Sequence, residues 1–310
     1  MKRFIKKLAI LVIITSIVIG GYCHLADVAA AKYYGANTEE QIKQSFRNSI
    51  LGEYNCYFLG NSRIYRGINP EKFTSVHAYN FGHDNDTYNQ MYYKLLYLLQ
   101  NNKKMDYVII GTDYFQFSFL SSTRNYVYGD LLSDEYLRDY PNTDSWYDRQ
   151  VMKATNVWEN KQNAFYSVIK YICGWPEPQN VNCQKENGQY VVHGHADGDE
   201  IVDRDYSVLD IQYEYFERII SLCESENIEL YVIMPPLWEA EVATHTSDER
   251  DVINDMILEA LRGTAYEGNY INFSEIEGLS SYKDFTDGSH LTLEAADRFS
   301  VYIDKAIFGR

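Results

Sequence analysis

Short apolar runs alternate with amphipathic segments along most of the chain. Five runs have the length and bounding turns of buried strands, and in chain order they read NCYFLG, SVHAYNFG, MDYVIIG, IELYVIMPP and NYINFSE. Segments with helical spacing precede, separate and follow them, namely NTEEQIKQSFRNSIL, TYNQMYYKLLYLLQNN, YEYFERIISLCESEN, DERDVINDMILEALRG and TLEAADRFSVYIDKAIF. Apolar strands that alternate with helices are typical of a parallel sheet covered on both faces. The pattern therefore predicts an α/β fold, a flavodoxin-like three-layer sandwich around a central parallel sheet of about five strands.

The stretch from about Ser121 to Asp205 interrupts this alternation. Its length exceeds that of an ordinary connection between two elements. We expect it to be an insertion that contains its own helices and a hairpin and lies over the site. Two of its residues, Cys173 and Cys183, would close a short loop if they formed a disulfide.

The N-terminus carries a targeting signal. Basic residues at positions 2, 3, 6 and 7 precede nineteen residues without Asp, Glu, Lys or Arg, from Leu8 to Ala26. That length is nearly enough for one membrane span, and the positive flank would keep the start of the chain cytoplasmic. We therefore predict a signal-anchor over residues 1–31 and an α/β domain over 32–310 on the outer face of the cytoplasmic membrane. The alternative is secretion after cleavage of a signal peptide near Ala29 or Ala31, because the strongly apolar part is shorter than a full span.

The charge composition of the chain limits the kinds of partner that we expect it to bind. The chain has 44 acidic and 28 basic residues and a formal net charge of −16, so most of its surface would repel a polyanion and nucleic-acid binding is not expected. The chain contains no CxxC pair, and we predict neither a metal nor another cofactor. His193 and His195, with Asp197 and Asp199, form an HxH cluster in a Gly-rich stretch. A solvated loop is favoured there over a metal site.

Residues suited to nucleophilic catalysis follow the predicted strands, whose carboxyl ends form the ligand crevice in folds of this kind. Ser62 follows the first strand, Gly82 the second and Asp113 the third, while the motif DFTDGSHLT precedes the last helix. A serine hydroxyl needs a base to lose its proton at neutral pH. His290 is the candidate base, and Asp287 is near enough in the same turn to orient its imidazole. On its own, Asp-x-x-His is a weak signal, and a helix cap beside an exposed histidine is the favoured interpretation.

Together these blocks resemble those of the SGNH/GDSL hydrolases. FLGNSR is similar to the nucleophile block, YNFG to the second block and DGSHLT to the C-terminal Asp-x-x-His block, while VIIGTD lies in the place of the third. The resemblance begins at Asn55 and leaves the insertion unmatched. It implies Ser62 as nucleophile, His290 as general base and then acid, and Asp287 as its orienter. It also implies an oxyanion hole that includes the backbone N–H groups of Ser62 and Gly82, and such a hole usually contributes most to acyl transfer.

Two positions depart from the pattern of that family. Its third block normally supplies an asparagine donor to the oxyanion hole, where this chain has Asp113, and Asn61 stands where an aspartate is common. An ionised carboxylate would repel an oxyanion, so Asp113 is protonated, turned away or used for another purpose. These departures leave open an acyl esterase or O-acyltransferase with a Ser-His-Asp triad. The alternative is a catalytically inactive module that binds a polymer or docks a membrane O-acyltransferase. If the paired blocks are coincidental, an unrelated anchored flavodoxin-like protein is the remaining interpretation.

The N-terminal anchor makes the chain look most like membrane-tethered relatives in teichoic-acid D-alanylation and exopolysaccharide acetylation. This resemblance implies an acylated carbohydrate or cell-envelope polymer as substrate and a membrane-bound O-acyltransferase as a candidate partner. Three more side chains are candidates for substrate binding: Arg63, which lies near Arg66 beside the nucleophile, His83 after the second strand, and Trp238 after the fourth. A structural role, as an ion pair, a hydrogen-bonded imidazole or a packed ring, is the alternative for each.

Overall fold

The computed structural model describes residues 1–34, 39–101, 103–141, 145–159, 161–178, 182–194, 201 and 203–309. The helices are α1 (Lys2–Tyr34), α2 (Glu39–Leu51), α3 (Ser62–Gly67), α4 (Tyr88–Gln100), α5 (Asn125–Leu131), α6 (Trp146–Glu159), α7 (Lys161–Ile172), α8 (Asp210–Glu226), α9 (Glu239–Val242), α10 (Ser247–Leu261) and α11 (Leu293–Ile303). The strands are β1 (Cys56–Leu59), β2 (Ala78–Asn80), β3 (Tyr107–Gly111), β4 (Cys183–Gln184), β5 (Tyr190–Val191), β6 (Glu229–Met234) and β7 (Tyr270–Asn272).

Five of these strands form one parallel sheet in the order β2-β1-β3-β6-β7. β1 and β3 are in the middle, and every residue of β1 is buried. Helices cover both faces of the sheet, so the predicted three-layer α/β fold is confirmed. Because all five strands run the same way, the segments after β1, β2 and β3 emerge at the same end of the sheet, beyond the carboxyl ends of its strands.

The two faces of the sheet are packed by different helices. Tyr57 and Leu59 of β1 belong to a large core with side chains from α2, α4, α8 and α10. Cys56 and Phe58, which point the other way, belong to a second core with α3 and α11. Side chains alternate between faces along a strand, so a strand buried on both sides must be apolar at every position. This explains the unbroken apolar runs in the sequence.

The segment 121–205 has its own secondary structure, as expected for an insertion. It contains α5, α6 and α7 and the antiparallel hairpin β4–β5. The hairpin turn lies against β2, where the Asn80 N–H donates to the Asn187 carbonyl at 2.9 Å. Gly188, with φ +92°, approaches so closely that a Cβ there would lie 1.8 Å from the Asn80 carbonyl oxygen. Cys173 and Cys183 are both exposed free thiols, so the structure does not contain the disulfide considered from the sequence.

α1 is a 33-residue helix in two parts. It is the one helix among the described residues long and apolar enough to cross a membrane, and its apolar part is fully exposed. The C-terminal turns of α1 follow this apolar part and pack on α7, where Val168 covers Ala26 and Ala29. The Tyr33 hydroxyl donates to the Trp175 carbonyl at 2.8 Å. The helix thus runs through residue 31, the predicted boundary, without interruption, and a membrane anchor or a signal peptide fits its apolar part.

Candidate active site

Ser62 is the first residue of α3, three residues after the buried end of β1 at Leu59. The side chain of Asn61 caps this helix, because its Oδ1 accepts the Arg63 N–H at 2.9 Å. Its Nδ2 donates to Gln116 Oε1 at 2.7 Å, which fixes the cap from the segment after β3. The strand can turn this sharply because position 60 is glycine: a Cβ there would lie 2.4 Å from Ile64 Cγ1. Asn61 therefore serves as the N-cap of α3, at the position where the family that the chain resembles commonly has aspartate.

A tight turn before α11 carries the proposed base. The Thr286 N–H donates to the His290 carbonyl at 2.7 Å and closes the turn. Asp287 Oδ1 accepts the backbone N–H groups of Ser289 at 2.9 Å and His290 at 3.0 Å. Asp287 is thus held by the backbone of its own turn as well as by the imidazole.

Ser62, His290 and Asp287 form a continuous hydrogen-bonded chain. His290 Nε2 lies 2.7 Å from Ser62 Oγ. His290 Nδ1 lies 2.8 and 2.9 Å from the two carboxylate oxygens of Asp287. When Nδ1–H donates its hydrogen bond to Asp287, the neutral imidazole leaves Nε2 free to accept the serine proton. The arrangement joins side chains separated by more than two hundred residues and can generate a serine nucleophile.

The electrostatics keep this chain of groups in the required protonation states. Burial lowers the pKa of His290; the Asp287 hydrogen bond raises it in part, and the Arg66 charge lowers it further. The net pKa lies below the ordinary histidine value, so the imidazole is neutral at pH 7. Burial alone would raise the pKa of Asp287, but the hydrogen bond and charge of His290 and the Ser289 N–H outweigh it and hold the pKa well below its usual range.

Arg66 and Asp84 extend the site. Arg66 lies one turn after Ser62 on α3, and its Nη1 is 3.4 Å from His290 Nδ1. Its Nε and Nη2 donate to Asp84 Oδ1 at 3.2 and 3.0 Å. The i, i+4 spacing from Ser62 was the signal that places Arg66 on the same helix face. No sequence pattern indicated Asp84, because only the packing of the segment after β2 brings it next to Arg66.

The predicted oxyanion donors differ in availability. Among the described residues, the Ser62 N–H has no hydrogen-bond acceptor. The Gly82 N–H donates to Asn80 Oδ1 at 3.1 Å, so it is already engaged. Gly82 is also packed against β1: a Cβ there would lie 3.0 Å from the Gly60 carbonyl oxygen. Glycine therefore suits the close approach of two backbone segments, whatever its part in catalysis.

Asp113 is turned into a buried cluster of charges. Its Oδ2 lies 2.6 Å from Arg63 Nε, and the side chains of both are at most 3% exposed. Arg63 also contacts the buried carboxylate of Glu241 through Nη2. Burial raises the pKa of Asp113 to about 6 against the opposing effect of Arg63, so the group is ionised at pH 7. Three alternatives were open for Asp113: protonated, turned away or used for another purpose. The last fits best, because Asp113 neutralises Arg63, the arginine that follows Ser62.

Arg204 connects this buried cluster to the turn of His290. Its Nη2 donates to Ser289 Oγ at 3.0 Å, and its Nε lies 3.6 Å from Glu241 Oε1. Its guanidinium lies 4.3 Å from the Phe115 ring centroid. The sequence did not identify Arg204 or Glu241, because each belongs to a segment that meets the site only in the folded chain.

The side chains considered for substrate binding are all buried. Arg63 is held by its two carboxylates. His83 is fully buried, and its Nδ1 lies 2.8 Å from the Tyr128 hydroxyl and 2.7 Å from Lys94 Nζ. Trp238 is 7% exposed and packs on Tyr282, with ring centroids 5.3 Å apart. These contacts favour the structural interpretation of all three.

The HxH cluster lies mostly outside the described residues, which include His193 but not His195, Asp197 or Asp199. The His193 N–H donates to Asn182 Oδ1 at 2.9 Å, and its side chain is exposed. Among the residues that the structure describes, no three His, Cys, Asp or Glu side chains are grouped as metal ligands.

Comparisons with known proteins add little to this geometry. No family model and no curated protein matches the chain. A solved structure from Streptococcus pneumonia, described as "a putative platelet activating factor", is 13% identical and superposes with a TM-score of 0.42. The alignment covers 87% of this chain and 93% of that one. A similarity at this level carries no information on activity or substrate.

Proposed function

We propose that the chain is a serine-dependent acyl-transfer enzyme, an esterase or O-acyltransferase. The observation that supports this proposal is the hydrogen-bonded chain from Ser62 Oγ through His290 to Asp287. A cap serine and an exposed histidine need no such contact. The lowered pKa of His290 supports the same role, since only the neutral imidazole can act as a base.

The proposed reaction has two halves. Ser62 Oγ attacks the acyl carbonyl carbon while its proton passes to His290 Nε2. The tetrahedral intermediate collapses, and His290 returns the proton to the departing alcohol oxygen, which leaves an acyl ester on Ser62. Water or an acceptor hydroxyl then attacks this ester with the same proton transfers and regenerates the serine. Asp287 stays ionised throughout and stabilises the imidazolium.

Oxyanion stabilisation depends on two backbone donors. The unengaged N–H of Ser62 supplies one where the carbonyl oxygen would become negative. The Gly82 N–H supplies the second once it exchanges its bond to Asn80 Oδ1 for the stronger charged acceptor. Asp113 takes no part, because its charge is compensated by Arg63.

We further propose that the enzyme acts outside the cytoplasm, tethered by α1, on acyl groups carried by a carbohydrate or cell-envelope polymer. Support comes from the exposed apolar helix with its basic start and from the family resemblance of the motifs. A membrane-bound O-acyltransferase is the proposed partner on the same grounds.

A second candidate function is a non-catalytic module that binds the polymer or docks the acyltransferase. The engaged Gly82 N–H and the carboxylate at position 113 favour it, because an oxyanion hole with one free donor stabilises the transition state poorly.

A serine-directed fluorophosphonate distinguishes the two. The full chain in detergent is labelled as wild type and as Ser62→Ala, His290→Ala and Ser225→Ala, the last an exposed serine on α8 as control. The enzyme proposal expects labelling of wild type and Ser225→Ala only, together with turnover of a p-nitrophenyl ester. Equal labelling of the wild type and all three variants, or no labelling and no turnover, contradicts the enzyme proposal and favours the binding module.

A further inference from the structure

The exposed aromatic side chains of the molecule are concentrated in one region. The chain has 29 tyrosines, and five of those whose side chains the structure describes are exposed. Among the described residues, Tyr302 is the single exposed Phe, Tyr or Trp that lies outside both α1 and the segment 146–175. That segment exposes Trp146, Tyr147, Phe165, Tyr166, Tyr171 and Trp175. Rings that the rest of the fold buries are left uncovered here, and an apolar patch of this kind marks an interaction site.

On α7 the uncovered apolar residues form a stripe. Phe165, Ile169 and Ile172 follow the i, i+4, i+7 spacing of one helix face and are 54%, 40% and 70% exposed. Tyr166 extends this face and is 59% exposed. Val168, which follows Phe165 by three positions and therefore lies next to the exposed residues, is buried against α1, and Ser167 is buried as well. We call Phe165, Tyr166, Ile169 and Ile172 the α7 stripe.

The α7 stripe lies beside the place where the apolar part of α1 leaves the domain. Val168 contacts the α1 residues at 26 and 29, whereas Lys170 and Trp175 contact Tyr33. α7 therefore runs in the same direction as α1, and its first turns lie nearest the apolar segment. A cavity of about 540 Å³ beside α1, lined by Gly20, Asp27, Glu39, Glu40, Lys43 and Lys153 among others, has charged walls of both signs. Apolar stripe and charged cavity together match the mixed chemistry of a membrane–water interface.

We propose that the α7 stripe contacts the lipid bilayer that α1 enters, so that the domain is held against the membrane at two places. This inference rests on the membrane anchor proposed above and does not depend on catalysis. Trp and Tyr rings prefer the headgroup level of a bilayer, where an apolar ring body and a polar tip are both accommodated.

The contact would set the orientation of the domain. A single helix leaves an attached domain free to tilt, whereas a second contact fixes which side faces the lipid. The insertion that carries the α7 stripe also contributes β5, whose Tyr190 stacks on Tyr65 of α3, one helix turn from Ser62. The lipid contact would therefore hold the candidate active site at a constant distance from the membrane.

The test is lipid quenching of a fluorophore at single positions of the full chain. Cys23, Cys173 and Cys183 are replaced by Ser; Cys56 and Cys223 are buried and stay. A nitrobenzoxadiazole label is attached at Phe165→Cys or, in a second variant, Tyr166→Cys. The protein is reconstituted into vesicles of phosphatidylcholine and phosphatidylglycerol, with and without a doxyl-labelled lipid.

Two further positions calibrate the signal. Ile13→Cys in the exposed apolar part of α1 reports on the anchor itself. Leu258→Cys is 44% exposed on α10, beside β7 at the opposite edge of the sheet, and serves as the aqueous control. We expect quenching at positions 165 and 166 to exceed that at 258 by about threefold or more, as for interfacial side chains.

Each outcome supports or overturns the inference. Quenching at 13 with only the control level at 165 and 166 overturns the lipid contact and leaves the anchor standing. Control-level quenching at 13 as well overturns both. Protection of 165 without quenching, together with chemical cross-links between labelled copies, assigns the stripe to self-association and also overturns the lipid contact.

Discussion

Two groups of charged side chains meet near Ser62 and behave in opposite ways. In the turn 286–290, Asp287 is 39% exposed at its side chain, and the adjacent imidazole holds its pKa down. In the cluster of Arg63, Asp113 and Glu241, the carboxylates are at most 5% exposed, and burial raises the pKa of Asp113. The first group keeps a neutral base in contact with a hydroxyl. The second holds charges that cannot reach a substrate, which favours a structural role.

The largest expected effect is a loss of activity when the turn 286–290 is altered. His290→Ala should lower ester turnover by about 10³-fold or more, because the serine loses its base. Asp287→Asn should lower it by a similar order through the wrong imidazole tautomer. Neither change should lower the melting temperature by more than a few degrees, since both groups are partly exposed. Full activity in either variant would remove the turn from the mechanism.

For the free energy of unfolding we expect the largest effect in the other group, the buried cluster of Arg63, Asp113 and Glu241. Arg63→Met should cost about 3–5 kcal/mol of unfolding free energy, because it leaves the buried carboxylate of Asp113 without its contacting cation and leaves Glu241 with Arg204 alone. Arg66→Met is the matched control: its pair with Asp84 is about one-fifth exposed, so its loss should cost about 1 kcal/mol or less. Chemical denaturation in detergent measures both. Equal costs would contradict the view that burial, rather than charge pairing, distinguishes the two arginines.

The pH dependence of stability should have opposite signs for the two aspartates. The folded-state pKa of Asp287 is depressed, so its contribution is present above the unfolded pKa and lost as pH falls. The folded-state pKa of Asp113 is raised to about 6, so its folded form retains a proton that the unfolded chain has lost. Its contribution is therefore greatest at low pH and declines as pH rises towards 6.

Asp287→Asn and Asp113→Asn, compared with wild type in denaturation series from pH 2 to 7, isolate these two contributions, because that of Asp287 changes below its unfolded pKa and that of Asp113 changes above its own. The wild-type-minus-variant difference should grow with pH for Asp287 and shrink with pH for Asp113. The same slope for both would show that the two environments do not differ as described.

The smallest expected effect concerns Arg66. Its charge lowers the pKa of His290, so Arg66→Gln should raise the acid-side midpoint of the pH–activity profile by less than about one unit. The wild-type midpoint should lie below the ordinary histidine value, because activity requires the neutral imidazole. A profile unchanged by Arg66→Gln, or a midpoint that moves to lower pH, would show that Arg66 does not act through His290.

Much of this molecule was predictable from local pattern. The apolar run 55–60 and the polar residues after it indicated a strand that ends in a loop, because buried parallel strands must be apolar on both faces. The spacing of Asp287 and His290 indicated a turn in which one orients the other. The pairing of Ser62 with His290 was a hypothesis from two distant motifs, and the folded chain brings their side chains within 2.7 Å.

What Asp113 does could not be read from its neighbours in sequence. Its fate depends on Arg63 and Glu241, which lie 50 and 128 positions away, and the free energy of a buried charge depends on what surrounds it in space. The same holds for the engaged Gly82 N–H, whose acceptor is a side chain, and for the burial of His83 and Trp238.

The sequence by itself determined the α/β class, the order of strands and helices along the chain, the exposed apolar start and the identity of the candidate nucleophile, base and orienter. The first three follow from periodicity and residue type, which act over a few positions, whereas the three candidate catalytic residues follow from the resemblance of distant motifs to those of a known family. Only the tertiary structure decided which charges are buried together, which backbone donor is free and where the insertion exposes its aromatic rings. Desolvation and packing depend on neighbours that folding brings from elsewhere in the chain, and no local pattern contains them.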